Sequence, residues 1–285
     1  MKFPFKPLRP SPAKPGRWLA RLLLLCYLAA ALFPIYWMLI TSLKPEAETY
    51  RVTPTFFPES FTAGAYGKLF TKTKFMQSVF NSVFVSSVVS AATILLSFPC
   101  SYALSRIVFR GRNLLSQGIL ITYLIPAAVL FIPFYSLLAQ MNLTNNLWGL
   151  ILVYPTKTIP YAVWIMMPFI ASIPRDLEEA AVVDGCTRAG SLSRIVLPLC
   201  LPSLAATFIF SFTMCWGEYL YALVIMTQEK HQTIPLFISG LSWADMTPWP
   251  QVMAAGILVS IPIVIIYTFA SEFLAGGMTD GGVKM

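Results

Sequence analysis

Two groups of residues in this 285-residue chain have types and spacing suited to chemistry. The first runs from Ser172 to Pro198. It holds Glu178-Glu179-Ala180-Ala181, then Asp184-Gly185, then, after nine intervening residues, Ile195-Val196-Leu197-Pro198. Pro174 suits a first helical turn, and Asp176, Glu178 and Glu179 crowd the end where acids complement the helix dipole. Leu177, Ala180, Ala181 and Asp184 share one face at helical spacing. Gly185 is set to end the helix in a left-handed cap. A second helix should begin near Thr187 and stop before Pro198. Alanines allow a close approach, and the acids beside them can pair with basic groups, so a docking surface is one reading. An amphipathic loop lying on lipid headgroups is the other. The second group is a pair of ionisable residues in apolar sequence, Glu218 within Trp216-Gly217-Glu218-Tyr219, and Lys157. Charge at bilayer depth is costly and faces a cavity or a partner. Rings that stack on sugar faces beside a carboxylate would suit a translocation path. Alternatively Glu218 lies near an interface and pairs with Lys230 or a backbone group, while Lys157 lines the cavity, snorkels or pairs with Glu218.

Other chemistries lack their residues. The sequence has no G-x-x-x-x-G-K-[ST] phosphate loop, so it cannot hydrolyse ATP by that route. His231 is the only histidine, and Cys26, Cys100, Cys186, Cys200 and Cys215 form no C-x-x-C pair, which leaves no metal site to expect. Paired intramembrane carboxylates and Ser/His arrangements are also missing, against a membrane-embedded enzyme.

The elements that position these residues are membrane spans. The chain is 57% hydrophobic and 11% charged, with a mean hydropathy of +0.70. Soluble domains are nearer a quarter charged, so an all-α integral membrane protein in one bundle is expected. Its net charge of +8 then reads as topology rather than as nucleic-acid binding. Residues 1–16 are basic and Pro-rich, a loose tail. The run Leu19–Leu43 is too long for a signal peptide and is expected as a retained first span. Five more follow, at about Gln77–Tyr102, Asn113–Leu138, Leu147–Ile170, Leu199–Met226 and Val252–Leu274, making a transmembrane domain over 17–275 and a tail over 276–285. Prolines 34, 99, 126, 133, 155, 160 and 262 lie inside these runs as kinks that neighbouring helices can absorb. In span two, Asn81, Ser82, Ser86, Ser87, Ser90, Ala91 and Ala92 read as a close-packing face.

Six spans put both termini on one side. Arg106, Arg110 and Arg112 after span two, Arg175, Arg188 and Arg194 after span four, and the basic tail mark that side as cytoplasmic. The loop after span one departs from the rule with Lys68, Lys72 and Lys74, offset by Glu46, Glu48 and Glu59. The loops on that opposite side are modest in size. No internal repeat appears, which weakens an inverted-repeat secondary transporter.

The run Glu179-Ala180-Ala181, three residues, Gly185, nine residues, Ile195-Val196-Leu197-Pro198 resembles the EAA loop of ABC importer permeases. The resemblance extends to the six-span layout with this loop, 171–198, between spans four and five. The tail Gly276-Gly277-Met278-Thr279-Asp280-Gly281-Gly282-Val283-Lys284 resembles the ending of the carbohydrate, maltose-permease-like subfamily of six-span type. Trp216-Gly217-Glu218-Tyr219 resembles that subfamily's W-N-E-F run, with Gly217 departing from the asparagine.

This resemblance implies a type I ABC importer permease fold, in a bacterial or archaeal cytoplasmic (inner) membrane. It implies that Glu178, Glu179, Ala180, Ala181, Asp184, Gly185, Leu197 and Pro198 belong to coupling helices seated in a cleft of a cytoplasmic ATPase. Glu179 would make a polar contact there and Gly185 the sharp turn. Thr279, Gly281, Gly282, Val283 and Lys284 would reach into the ATPase dimer interface. A second permease, an ATPase dimer and an extracytoplasmic solute-binding protein are the partners so implied. ATP and Mg would sit on the ATPase, and no cofactor on this chain. The expected cargo is a sugar or related polyol. A glycerol-phosphate-like or other non-sugar solute is the alternative, and a gradient-driven secondary transporter is the remaining one.

Overall fold

The computed structural model describes residues 17–242 and 247–279, and side chains from 18 to 269 within them. Every regular element among the described residues is helical. Four helices are long and apolar enough to cross a membrane, and two strongly bent pairs bring the number to six if each pair is one span. The order is α1 (Arg17–Ser42), α2 (Glu46–Thr49), α3 (Gly64–Lys72), α4 (Phe75–Arg106), α5 (Arg112–Tyr123), α6 (Ala127–Gln140), α7 (Leu147–Val153), α8 (Pro155–Ser172), α9 (Arg175–Val183), α10 (Arg188–Ser191), α11 (Leu197–Leu199), α12 (Leu201–Trp216), α13 (Leu220–Ile225), α14 (Ile234–Gly240) and α15 (Trp249–Thr279). A π-helical turn, Leu192–Val196, joins α10 to α11.

Helices α4, α8 and α12 pack on one another and form the centre. The reason lies in the small residues of α4. Ser78, Ser82, Ser86, Ser90, Ser97, Ser101 and Ser105 are buried along it. Small side chains let helix backbones approach in lipid, where no hydrophobic force draws them together. Their hydroxyls need partners, and several find them. Ser90 Oγ donates to the Ser86 carbonyl (2.6 Å), Thr93 and Thr158 share a hydrogen bond between α4 and α8 (2.6 Å), and Ser105 Oγ donates to the Met167 carbonyl (3.2 Å). Of the face expected from sequence, Asn81, Ser82, Ser86 and Ser90 are buried, whereas Ala91 turns outward. Helix α1 lies at the rim against α15, where Gly256 leaves room for Met38.

Two expectations are corrected. Span three is not one helix: α5 and α6 meet at 93°. Pro126 has no N–H to donate and disfavours helical geometry at Ile125, so the helix stops and restarts. Span five does not run unbroken to Met226; it breaks after Trp216 and resumes at α13. The loops opposite α9 carry short helices of their own. Helices α2, α3 and α14 cover that end, with α3 against α15 and α14 against α4.

Candidate functional site

Helix α9 forms as its sequence predicts. Pro174 sits at the N-cap position, one residue outside the first turn, and Asp176 and Glu178 occupy that turn. At the other end Gly185 adopts φ +90°. The Gly185 N–H donates to the Val182 carbonyl (3.1 Å) and the Cys186 N–H to the Ala181 carbonyl (2.9 Å), the paired bonds of a Schellman cap. Thr187 then caps α10, its Oγ1 accepting from the Gly190 N–H (3.1 Å). The chain does not stop before Pro198. It continues through the π-helical turn and α11, then turns 73° into α12. Proline is tolerated there because the first positions of a helix have no intrahelical N–H bond to lose. The second half of the helix–glycine–helix element, Arg188–Leu199, is therefore the bent start of span five.

The two faces of α9 differ. Ala181 is buried, and beneath the element Ile173, Val196 and Cys200 join Phe98, Met166, Ile170 and Leu204 in an apolar cluster, with Leu197 packed against it. Leu177, Val182 and Val183 are exposed, Val183 at 87%. Glu179, Ala180, Asp184 and Pro198 are exposed with them. So the face anticipated from Leu177, Ala180, Ala181 and Asp184 is turned outward except for Ala181.

Glu178 behaves unlike its neighbour. Its carboxylate lies 2.8 Å from the Arg106 guanidinium at the end of α4, with both side chains nearly buried (8% and 13% exposed). It also accepts a 2.6 Å hydrogen bond from the Tyr102 hydroxyl, while Arg106 Nη2 donates to the Ile173 carbonyl (2.5 Å). Glu178 thus points into the bundle and bolts α9 to span two, rather than standing on the outward face with Glu179. Beside the bolt opens a cavity of about 670 Å³, lined in part by Arg175, Glu179, Val183 and Arg188. In the sequence alone Arg106 reads only as a topology charge, and Tyr102 carries no role. The available signal was their spacing of four, which places both on one face of a helix end.

The second group assembles elsewhere. Helix α12 ends at Trp216, and the Glu218 carboxylate caps α13, accepting from the Tyr221 N–H (3.1 Å) and the Ala222 N–H (3.3 Å). Lys157 Nζ lies 3.2 Å from Glu218 Oε1 and 4.3 Å from the centre of the Tyr221 ring. Counted from Leu147, Lys157 sits about 15 Å along its 26-residue span, well away from either end. Trp216 is buried and stacks on Phe212 (5.7 Å), and Tyr219 is half-buried. The structure therefore brings Lys157 to Glu218 and leaves this group remote in sequence and contact from α9. Glu218 is occupied by groups of this chain. Asp280–Met285 fall outside the described residues, so the tail positions Gly281, Gly282, Val283 and Lys284 do too. Thr279 is the last residue of α15, so the tail that begins at Gly276 is helical as far as that residue.

Known proteins share this architecture. Residues 94–280 match the profile of the binding-protein-dependent transport system inner membrane component. The chain is 35% identical over 271 residues to the sulfoquinovosyl glycerol transport system permease protein SmoH of Agrobacterium fabrum, covering 95% of this chain and 94% of that one. It is 32% identical over 252 residues to the diacetylchitobiose uptake system permease protein DasC of Streptomyces coelicolor (88% and 91%). It is 30% identical over 255 residues to the trehalose/maltose transport system permease protein MalG of Thermococcus litoralis (89% and 91%). Its fold resembles a chain of a bacterial ABC transporter that imports the polysaccharide alginate, with a TM-score of 0.76 at 24% identity over 93% of this chain and 99% of that one. The chain belongs to the binding-protein-dependent transport system inner membrane component family, as a multi-pass permease subunit of an ABC importer and not an enzyme.

Proposed function

We propose that this permease forms half of the path for a sugar or related polyol, beside a second and different permease chain. We further propose that an ATPase dimer seats on the outward face of α9 and the corner at Gly185. The observation that carries this reading is the division of labour on α9: Glu178 is spent inward on Arg106, while Leu177, Glu179, Ala180, Val183 and Asp184 remain exposed around a rigid glycine cap. Exposed valine and leucine beside acids on a short, well-capped helix suit a partner's cleft. The arginines near that end support a cytoplasmic face, with both termini on it. ATP and Mg belong to the partner ATPase, and this chain binds no cofactor. The tail, Thr279 to Lys284, runs along the ATPase interface. A solute-binding protein delivers cargo to the opposite end.

In this reading the mechanism is alternating access. Closure of the ATPase dimer moves α9 and α10. The movement passes through the 73° bend into α12, and through Arg106 into α4, and the bundle opens outward. Hydrolysis returns it. Lys157, Trp216, Glu218 and Tyr219 act at the break in span five, where a change in the ion pair would let α13 move along the path. The sugar assignment is supported by the names of relatives that carry sulfoquinovosyl glycerol, diacetylchitobiose and trehalose or maltose.

The test is uptake in cells lacking the chain, complemented by wild type or Glu179→Lys. Carbohydrate uptake that needs ATP, survives a protonophore and is lost in Glu179→Lys is the expected result. Uptake driven by an ion gradient would overturn the reading, and uptake of glycerol phosphate alone would overturn its sugar clause.

A further inference from the structure

The segment 50–61, between α2 and α3, carries an unusual load of exposed aromatic surface. Phe56, Phe57 and Phe61 are 60%, 73% and 72% exposed. A loose loop would fold such rings away from water, but this one is fixed at many points. The buried Lys44 donates to the Thr55 carbonyl and lies 5.1 Å from the Trp37 ring. Thr55 Oγ1 donates to the buried Glu48 carboxylate, which also accepts from the Glu59 N–H (3.2 Å). The Thr62 N–H donates to the Leu43 carbonyl (2.9 Å). These bonds hold the backbone so that the rings stay outward.

Where the loop lies is equally specific. Its tip folds back along α1 instead of rising from it. The Tyr36 hydroxyl donates to the Phe56 carbonyl (2.7 Å), with Trp37 and Phe56 rings 5.7 Å apart and Tyr36 and Phe57 rings 6.4 Å apart. Tyr36 stands six residues before the end of α1 at Ser42, about 9 Å down the helix. Helix α1 has 26 residues, about 39 Å, against about 30 Å of hydrocarbon. With the slab centred on the helix its edge lies about 4–5 Å from the helix end, so the two phenylalanines, tied at Tyr36, sit just inside that edge. The charged pair Arg51–Glu59 stands at the neck of the loop. On α1, the exposed Phe33 continues this aromatic group, its ring 6.4 Å from that of Tyr36 and 5.9 Å from that of Trp37, with the exposed Leu32 beside it.

We propose that segment 50–61 is an interfacial anchor. Phe56 and Phe57 enter the leaflet beside α1 at the boundary of headgroups and acyl chains, and Arg51–Glu59 stays in the aqueous layer. Aromatic side chains favour that boundary. The anchor holds the cap of α2 and α3 at fixed height over the bundle. A protein partner docking from the aqueous side would meet the neck first, whereas the rings lie below the helix end.

The experiment labels Phe57→Cys with a nitroxide in the complete transporter, in nanodiscs, on a variant whose five native cysteines are replaced. Collision with oxygen and with a water-soluble nickel chelate is compared with labels at Leu32→Cys on α1 and at Lys230→Cys in an exposed loop. The expected result is that position 57 groups with position 32, oxygen-rich and nickel-poor. Grouping with position 230 would place the loop in water and overturn the proposal. Protection from both reagents would show a protein over the rings, and would overturn it as well. Because the cysteine replacements can disturb assembly, p-benzoylphenylalanine at position 57 in the otherwise native chain gives a second reading. Photo-adducts carrying lipid mass support the anchor, and crosslinks to a partner protein refute it. Neither readout involves ATP or cargo.

Discussion

Arg106–Glu178 and Lys157–Glu218 are both ion pairs between helices, and they join different things. The first ties a surface helix, α9, to the end of α4, with both side chains nearly buried. The second ties α8 to the half-helix α13 at a break inside span five, with Lys157 at 27% exposure. Breaking a buried pair by removing one partner leaves an uncompensated charge and costs about 3–5 kcal/mol. A partly exposed lysine can turn to water instead, and Glu218 keeps its bonds to the Tyr221 and Ala222 N–H groups. The first pair should therefore behave as a bolt and the second as a latch.

The sharpest way to break this comparison is Arg106→Ala. It strands Glu178 and should cost about 3–5 kcal/mol of local stability, seen as lost hydrogen-exchange protection across α9. Arg106→Leu with Glu178→Leu should recover much of that protection, because a well-packed apolar pair can replace a buried ionic one. If Arg106→Ala leaves α9 as protected as wild type, the bolt is wrong. Glu218→Gln comes next. The amide oxygen still caps α13 but loses the charge facing Lys157, for about 1.5–3 kcal/mol. Glu218→Ala, which also loses the cap, should be worse in thermal denaturation, and equal losses would deny the capping role. Gly185→Val follows at about 1–2 kcal/mol of backbone strain at φ +90°. Nothing lies within 4 Å of an added Cβ, so the cost is conformational and Gly185→Asn should be milder. Glu179→Lys is exposed and should change stability by under about 0.5 kcal/mol while removing ATPase retention in pull-downs.

The smallest effect is at Arg51–Glu59, where the hydrogen bond and charge of Arg51 hold the Glu59 carboxyl below its ordinary value. A carboxyl lowered on folding contributes above its unfolded value and loses that contribution as pH falls through the folded one. The pair is exposed, so the loop should loosen only in acid, and less so at high salt. Amide exchange of residues 50–61 against pH checks this.

Much of this is legible in the sequence. The acid cluster, Gly185 and Thr187 act through local backbone chemistry, so both ends of α9 and the start of α10 follow from neighbours in sequence. The small-residue face of α4 was legible for a similar reason, since spacing alone puts it on one side. What escaped depended on distant partners. Glu178 and Glu179 are adjacent and chemically alike, and only the approach of Arg106, 72 positions away, separates their roles. The break before α13 escaped because Gly217 alone does not end an apolar helix; Glu218 had to turn back and cap. The fold of 44–62 escaped because its bonds reach across from α1 and α2, while the composition read simply as a charged loop.

The most direct measurement is native mass spectrometry of the tagged chain taken from its own membrane in mild detergent, beside the Gly185→Val and Glu179→Lys variants. The account predicts an assembly with a second permease and two ATPase copies for wild type. Both variants should keep the second permease and lose the ATPase. Full retention of the ATPase by both variants would contradict the docking of α9 and its Gly185 corner on the motor.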